Sequence, residues 1–188
     1  AEGAARARLS DRLRRYALFE QRIPGDGNCQ FAALADQLYA NHALHGEVRA
    51  RVVAQLQRRP EWYRSWVAGD YRRYCAEMAR PGCWGDHVTL QAASDAYGLC
   101  ISLLTSYQEG CFVELQPRRG PAAGARVLWL AFWAEIHYNS VYPITSPNAG
   151  RPEALPWGSA VRPAPPEASS KRTGKVLGSK KLHALFFS

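Results

Sequence analysis

Apolar residues recur at helical spacing in four stretches of the first hundred residues. Leu9, Leu13, Tyr16 and Phe19 mark one face of an Arg-rich segment, which predicts an amphipathic helix laid on the core with its basic face in water. Pro24-Gly25-Asp26-Gly27 breaks that pattern, and Phe31, Leu34 and Leu38 resume it from near Cys29, so Cys29 is predicted at a helix N-terminus. Val48, Val52 and Leu56 give a third helix that ends at Pro60. The aromatic, basic stretch after it, with Trp62, Tyr63, Trp66, Tyr71 and Tyr74, reads as core and rim. Asp86 offers an N-cap for a helix over 88–97, which Gly98 can end.

Past residue 99 the period changes. Residues 100–105, 111–116, 127–133 and 138–144 are short runs rich in Val, Ile, Leu, Phe, Tyr and Trp, separated by Gly, Pro or charged breaks, and they predict strands of one sheet. Helices followed by strands give an α+β class, with a helical layer packed on a small, mainly antiparallel sheet. Beyond Ser146 come six of the twelve prolines, and residues 147–188 carry seven basic and two acidic residues. That composition cannot build a core and predicts a disordered basic Pro/Ser-rich tail. The expected organisation is an N-terminal amphipathic helix over 1–22, a folded domain over 23–146 and the tail over 147–188.

Composition narrows the function less than it narrows the fold. With 188 residues, 47% hydrophobic and 21% charged, the chain suits one globular domain. A net charge of +8 raises the question of nucleic acid, but Lys and Arg are scattered and no nucleic-acid motif accompanies them, so none is expected as partner. No run approaches the ~18–20 apolar residues of a membrane span. Five cysteines, an odd number, fit a reducing compartment. The expected location is the cytoplasm, with the nucleus as a second site suggested by Lys171-Arg172 and Lys180-Lys181. Cys75, Cys83 and His87 lack the paired spacing of a zinc site, so no metal is expected.

Chemistry concentrates in two places. The glycines of Gly25-Asp26-Gly27-Asn28-Cys29 allow a tight turn whose N–H groups converge ahead of a helix, where a thiolate is favoured and an oxyanion can be held. In Glu135-Ile136-His137-Tyr138-Asn139, strand alternation puts His137 and Asn139 on one face, so Asn139 can orient the imidazole. Cysteine, histidine and a polar amide are the nucleophile, base and orienter of thiol-protease sites.

Three blocks carry a closer resemblance: Asp26-Gly27-Asn28-Cys29-Gln30-Phe31, Trp84-Gly85-Asp86-His87-Val88-Thr89-Leu90-Gln91-Ala92 and Glu135-Ile136-His137-Tyr138-Asn139-Ser140-Val141. In content and order they resemble the ovarian-tumour (OTU) family of cysteine proteases, and the wording is most similar to plant-type members. The resemblance implies the OTU-like papain-superfamily fold and a deubiquitinase that cleaves after the C-terminal glycine of ubiquitin. Its partners would be ubiquitin or polyubiquitin chains, with related modifiers as further candidates, and it would act as a monomer without a cofactor. It further implies that Cys29 is the nucleophile, His137 the general base and Asn139 the third member. Asp26 corresponds to the family's other active-site position and is expected to hold the loop by accepting its N–H groups. Trp84, Trp133 and Tyr138 are candidate aromatic walls for the extended ubiquitin tail. The alternative is an inactive OTU-like module that binds ubiquitin, against which the intact Cys29, His137 and Asn139 argue.

Overall fold

The structure is a computed structural model that describes residues 2–145; the predicted tail over 147–188 lies outside the described residues. The chain runs α1 (Glu2–Arg15), β1 (Leu18–Gln21), α2 (Cys29–Tyr39), α3 (His45–Arg58), α4 (Pro60–Tyr63), α5 (Tyr71–Met78), α6 (His87–Tyr97), β2 (Cys100–Thr105), β3 (Phe112–Leu115), β4 (Val127–Trp133) and β5 (His137–Pro143). The five strands form one sheet in the order β1-β5-β4-β2-β3. β2 and β4 pair in parallel and the other three pairings are antiparallel.

Local chemistry accounts for the best-defined boundaries. Asp86 caps α6 by accepting the N–H groups of Val88 and Thr89, and Thr89 Oγ1 accepts the Asp86 N–H in return, a reciprocal capping box. Gly98 ends that helix at φ 64°, a left-handed turn that a side chain would disfavour. Asp70 caps α5 by accepting the Arg73 N–H.

Every residue of β2 is buried because the sheet is covered on both faces. On one face lie Phe31, Leu34 and Leu38 of α2, Val48, Val52 and Leu56 of α3 and Val88 and Leu90 of α6, packed with Leu103, Leu130 and Tyr138. On the other, Leu9 and Leu13 of α1 pack with Leu18, Leu104, Ala131 and Val141. α2 is a buried helix, with every residue from Gln30 to Leu38 buried. Two of its polar side chains are bonded into the sheet: Asp36 accepts the hydroxyls of Ser140 and Tyr142, and Gln37 donates to the Val141 carbonyl and accepts the Trp129 N–H.

The N-terminal segment differs from expectation twice. The helix stops at Arg15; the chain turns at Ala17, φ 50°, and Leu18–Gln21 joins the sheet edge beside β5. Phe19 therefore continues the helical spacing of Leu9, Leu13 and Tyr16 without being helical. The basic face of α1 is also not merely hydrated. Arg8 donates to the Ser106 carbonyl, Arg12 to the Thr105 carbonyl at 2.6 Å, and Arg6 to Glu20. Arg8 and Arg12 close the C-terminal end of β2, where carbonyls would otherwise lack donors, and Arg6 reaches β1 instead.

Candidate active site

A helix that packs on the sheet and a strand within it meet at the start of β5. Cys29 is the first residue of α2, so its sulfur lies where the unpaired N–H groups of the helix begin. Burial pushes the Cys29 thiol up, but the hydrogen bond and charge of His137 and the N–H groups of Tyr138 and Gln30 outweigh it. The thiol is held below its ordinary pKa. His137 is held above its ordinary value, first by its hydrogen bond to Cys29 and against the effect of burial, with Asn139 and the Ile23 carbonyl adding to the rise. These are the opposite shifts of a thiolate–imidazolium pair.

The tautomer follows from the partners. His137 Nε2 lies 3.0 Å from the Ile23 carbonyl oxygen and 3.0 Å from Asn139 Oδ1. Both are acceptors, so Nε2 carries the hydrogen and Nδ1 is the nitrogen left for Cys29. The orientation of Asn139 is fixed just as firmly, because Oδ1 also accepts the Ile23 N–H at 2.7 Å while Nδ2 donates to Glu20 Oε1 at 2.8 Å. A flipped amide would face two donors with a donor and a carboxylate with an acceptor.

The cysteine loop is braced from behind. Asp26 Oδ1 accepts the Asn28 N–H at 3.0 Å, and that bond chiefly holds the Asp26 carboxyl below the usual carboxylate range. Gly27 has φ 82°, and a Cβ there would stand 2.2 Å from the Gly82 carbonyl oxygen, so only glycine fits. Asn28 Oδ1 takes the Gly82 N–H and Arg49 Nη2, both at 2.8 Å. Arg49 is 3% exposed; it also donates to the carbonyls of Met78 and Cys83, and its guanidinium lies 4.0 Å from the Phe31 ring centroid. Gln30 completes the brace by donating to the Asp86 carbonyl and accepting the Thr89 hydroxyl at 2.6 Å.

Among the residues predicted from sequence, Cys29, His137 and Asn139 thus come together, while Asp26 is an exposed residue of the cysteine loop bonded to the Asn28 N–H. Trp84 is 62% exposed, on the segment that packs Gly82 and Gly85 against the cysteine loop. Tyr138 corrects its expectation: at 6% exposure, stacked on Phe132 with centroids 4.5 Å apart, it is a core side chain, and its N–H faces the sulfur. Its position next to His137 sends it to the α2 face by strand alternation. Trp133 is the register partner of His137, but it packs with the α1-side cluster and lies 5.6 Å from the Arg6 guanidinium.

A family model described as OTU-like cysteine protease matches residues 24–139. The chain belongs to that family. Among similar proteins, the OVARIAN TUMOR DOMAIN-containing deubiquitinating enzyme 12 of Arabidopsis thaliana is 47% identical over 151 residues, covering 80% of this chain and 68% of that protein. Deubiquitinating enzyme 10 of the same series and organism is 49% identical over 135 residues, covering 72% of this chain and 37% of that protein. The chain therefore spans about two thirds of one relative and well under half of the other, and it resembles plant-type OTU proteins most in its motifs. The OTU domain of OTUD1 matches with a TM-score of 0.64 at 22% identity, covering 76% of this chain and 99% of that one. An OTU domain solved in complex with ubiquitin matches with a TM-score of 0.53 at 15% identity, covering 70% and 78%. At those identities the likeness is one of fold.

Sequence reasoning about this OTU protein missed Arg49 and Glu20. Arg49 had a signal: it lies three and four residues before Val52 and Val53, on the apolar stripe of α3. Glu20 had none in the local pattern, because its place depends on β1 pairing with β5.

Proposed function

We propose that this OTU protein is a deubiquitinating cysteine protease, which hydrolyses the isopeptide or peptide bond after the C-terminal glycine of ubiquitin. The observation that carries the reading is a thiol shifted down and an imidazole shifted up against each other, with the far nitrogen of the imidazole locked as a donor. The relatives named as deubiquitinating enzymes and the ubiquitin complex of a similar fold support the substrate class.

His137 Nδ1 takes the thiol proton, and the Cys29 thiolate attacks the carbonyl carbon of the terminal glycine. Negative charge developing on the carbonyl oxygen falls beside the N–H groups of the cysteine loop, whose shape Asp26 and Arg49 maintain. The C–N bond breaks as the imidazolium returns its proton to the leaving amine, leaving a thioester on Cys29. Water then attacks the thioester with His137 as base, releasing the ubiquitin carboxylate and restoring the pair. Cys29, His137 and water handle every proton and electron pair in this sequence. Trp84 supplies an exposed aromatic surface for the extended tail of the substrate.

The test is reaction of the full chain with ubiquitin carrying a C-terminal thiol-reactive group, read by intact mass. A gain of one ubiquitin in the wild type, absent in Cys29→Ala, is expected. No adduct on a folded wild-type chain overturns the reading in favour of a non-catalytic module. Adducts with a related modifier in place of ubiquitin change the substrate and leave the chemistry.

A further inference from the structure

Asn139 is neutral, yet the proton it holds belongs to an imidazole that must become a cation. The charge that it lacks stands one residue further out. Glu20 of β1 accepts Asn139 Nδ2 at 2.8 Å, and its side chain is only 10% exposed. Arg6 of α1 grips both carboxylate oxygens, Nη1 to Oε1 at 2.9 Å and Nη2 to Oε2 at 2.5 Å. The chain of contacts runs Arg6–Glu20–Asn139–His137–Cys29, and it crosses α1, β1, β5 and α2. Of these elements, α1 and β1 precede residues 24–139, the span matched by the family model.

We propose that Glu20 is a positioning residue of this site, which supplies through Asn139 the negative charge that stabilises the His137 imidazolium, and that α1 belongs to the catalytic apparatus because Arg6 fixes that carboxylate. The inference rests on the reading of Cys29 and His137 as nucleophile and base. Asn139 works as a relay: its N–H is drawn toward the carboxylate, its Oδ1 gains negative charge, and Oδ1 accepts the His137 Nε2–H more strongly. Burial would push the Glu20 carboxyl up, but Arg6, Asn139 and the charge of His137 hold it below the usual range, so it stays ionised when the imidazolium forms. The groups facing it are Arg6 from α1 and Asn139 and His137 from β5. His137 in turn faces Cys29 from α2.

A purely structural Glu20 would need only its acceptor oxygen, which glutamine keeps. The deciding experiment is therefore an NMR titration of the His137 ring in the full-length protein, comparing the wild type, Glu20→Gln and the double variant Glu20→Gln/Asn139→Asp. The double variant moves the charge one residue inward and lets the new amide donate to it. Glu20→Gln is expected to lower the His137 midpoint by about one unit, a roughly tenfold loss of imidazolium at fixed pH above it. The alkaline limb of hydrolysis of a ubiquitin C-terminal fluorogenic amide should move down in parallel. The double variant should restore both. An unchanged midpoint in folded Glu20→Gln, or no recovery in the double variant, overturns the proposal. The titration contains no ubiquitin, so failure of the substrate reading leaves it standing. Equally, a wild-type ubiquitin adduct beside an unmoved midpoint refutes the relay alone.

Discussion

The two halves of the site are held by different physics. Behind the nucleophile, Arg49 is a buried cation whose hydrogen-bond acceptors are all neutral: the carbonyls of Met78 and Cys83 and the amide oxygen of Asn28. Behind the base, Arg6 and Glu20 form an ion pair at the rim, with the Arg6 side chain 39% exposed. The first arrangement fixes the shape of a loop through bonds from a buried cation to uncharged acceptors. The second places a charge that can be felt at His137. The difference teaches that damage behind Cys29 should register as lost stability, whereas damage behind His137 should register in catalysis, pH dependence and salt dependence.

The sharpest break in this division is at the base itself. His137→Ala should lower kcat by about 10³–10⁴-fold, the scale of a general base that also returns the proton. Asn139→Ala should cost less, about 10–100-fold, the scale of one hydrogen bond to a charged group. The reason is visible in the geometry: the Ile23 carbonyl remains 3.0 Å from Nε2 and continues to hold the ring. Steady-state hydrolysis of a ubiquitin amide measures both, and equal losses would show that the Ile23 carbonyl cannot hold the ring by itself.

On the nucleophile side, Arg49→Ala should cost about 3 kcal/mol of stability, because it takes the arginine donor from the Met78 and Cys83 carbonyls, leaves Asn28 Oδ1 with the Gly82 N–H alone and empties a buried space. Urea unfolding measures this. Activity per folded molecule at low temperature should fall by less than it does in His137→Ala. A stable Arg49→Ala protein with activity as low as His137→Ala would break the division between the two halves.

The same division separates what was legible in the sequence from what was not. Cys29 at a helix start, the capped α6 and the paired His137 and Asn139 are set by neighbours within a few residues, and local spacing reports them. The β1 strand was hidden because Phe19 keeps the helical period and the turn at Ala17 uses neither glycine nor proline. Tyr138 looked like a channel wall because sequence places it beside His137, whereas alternation turns it into the core. Glu20 meets Asn139 across 119 residues of chain, and Arg49 meets Asn28 across 21. Such contacts follow from which strands pair and which helix covers them, and no local pattern encodes them. The basic character of α1 was plain, but its meaning depends on the carbonyls and the carboxylate it reaches in the fold.

The smallest effect tests the outermost link. Arg6→Ala removes a half-exposed partner and leaves the Glu20 carboxylate still bonded to Asn139, so kcat should fall only about two- to fivefold, in keeping with the ~0–1 kcal/mol of exposed ion pairs. The alkaline limb should not move down, because the negative charge facing His137 stays and its counter-charge is gone. Raising the salt concentration should bring the wild type toward the variant while leaving the variant itself almost unchanged, since screening weakens the pair that the variant lacks. Rates measured from low to high salt on both proteins decide the matter. A downward shift of the limb in Arg6→Ala would mean that Glu20 needs its arginine to remain ionised, which would make α1 a condition for the charge and not only for its position.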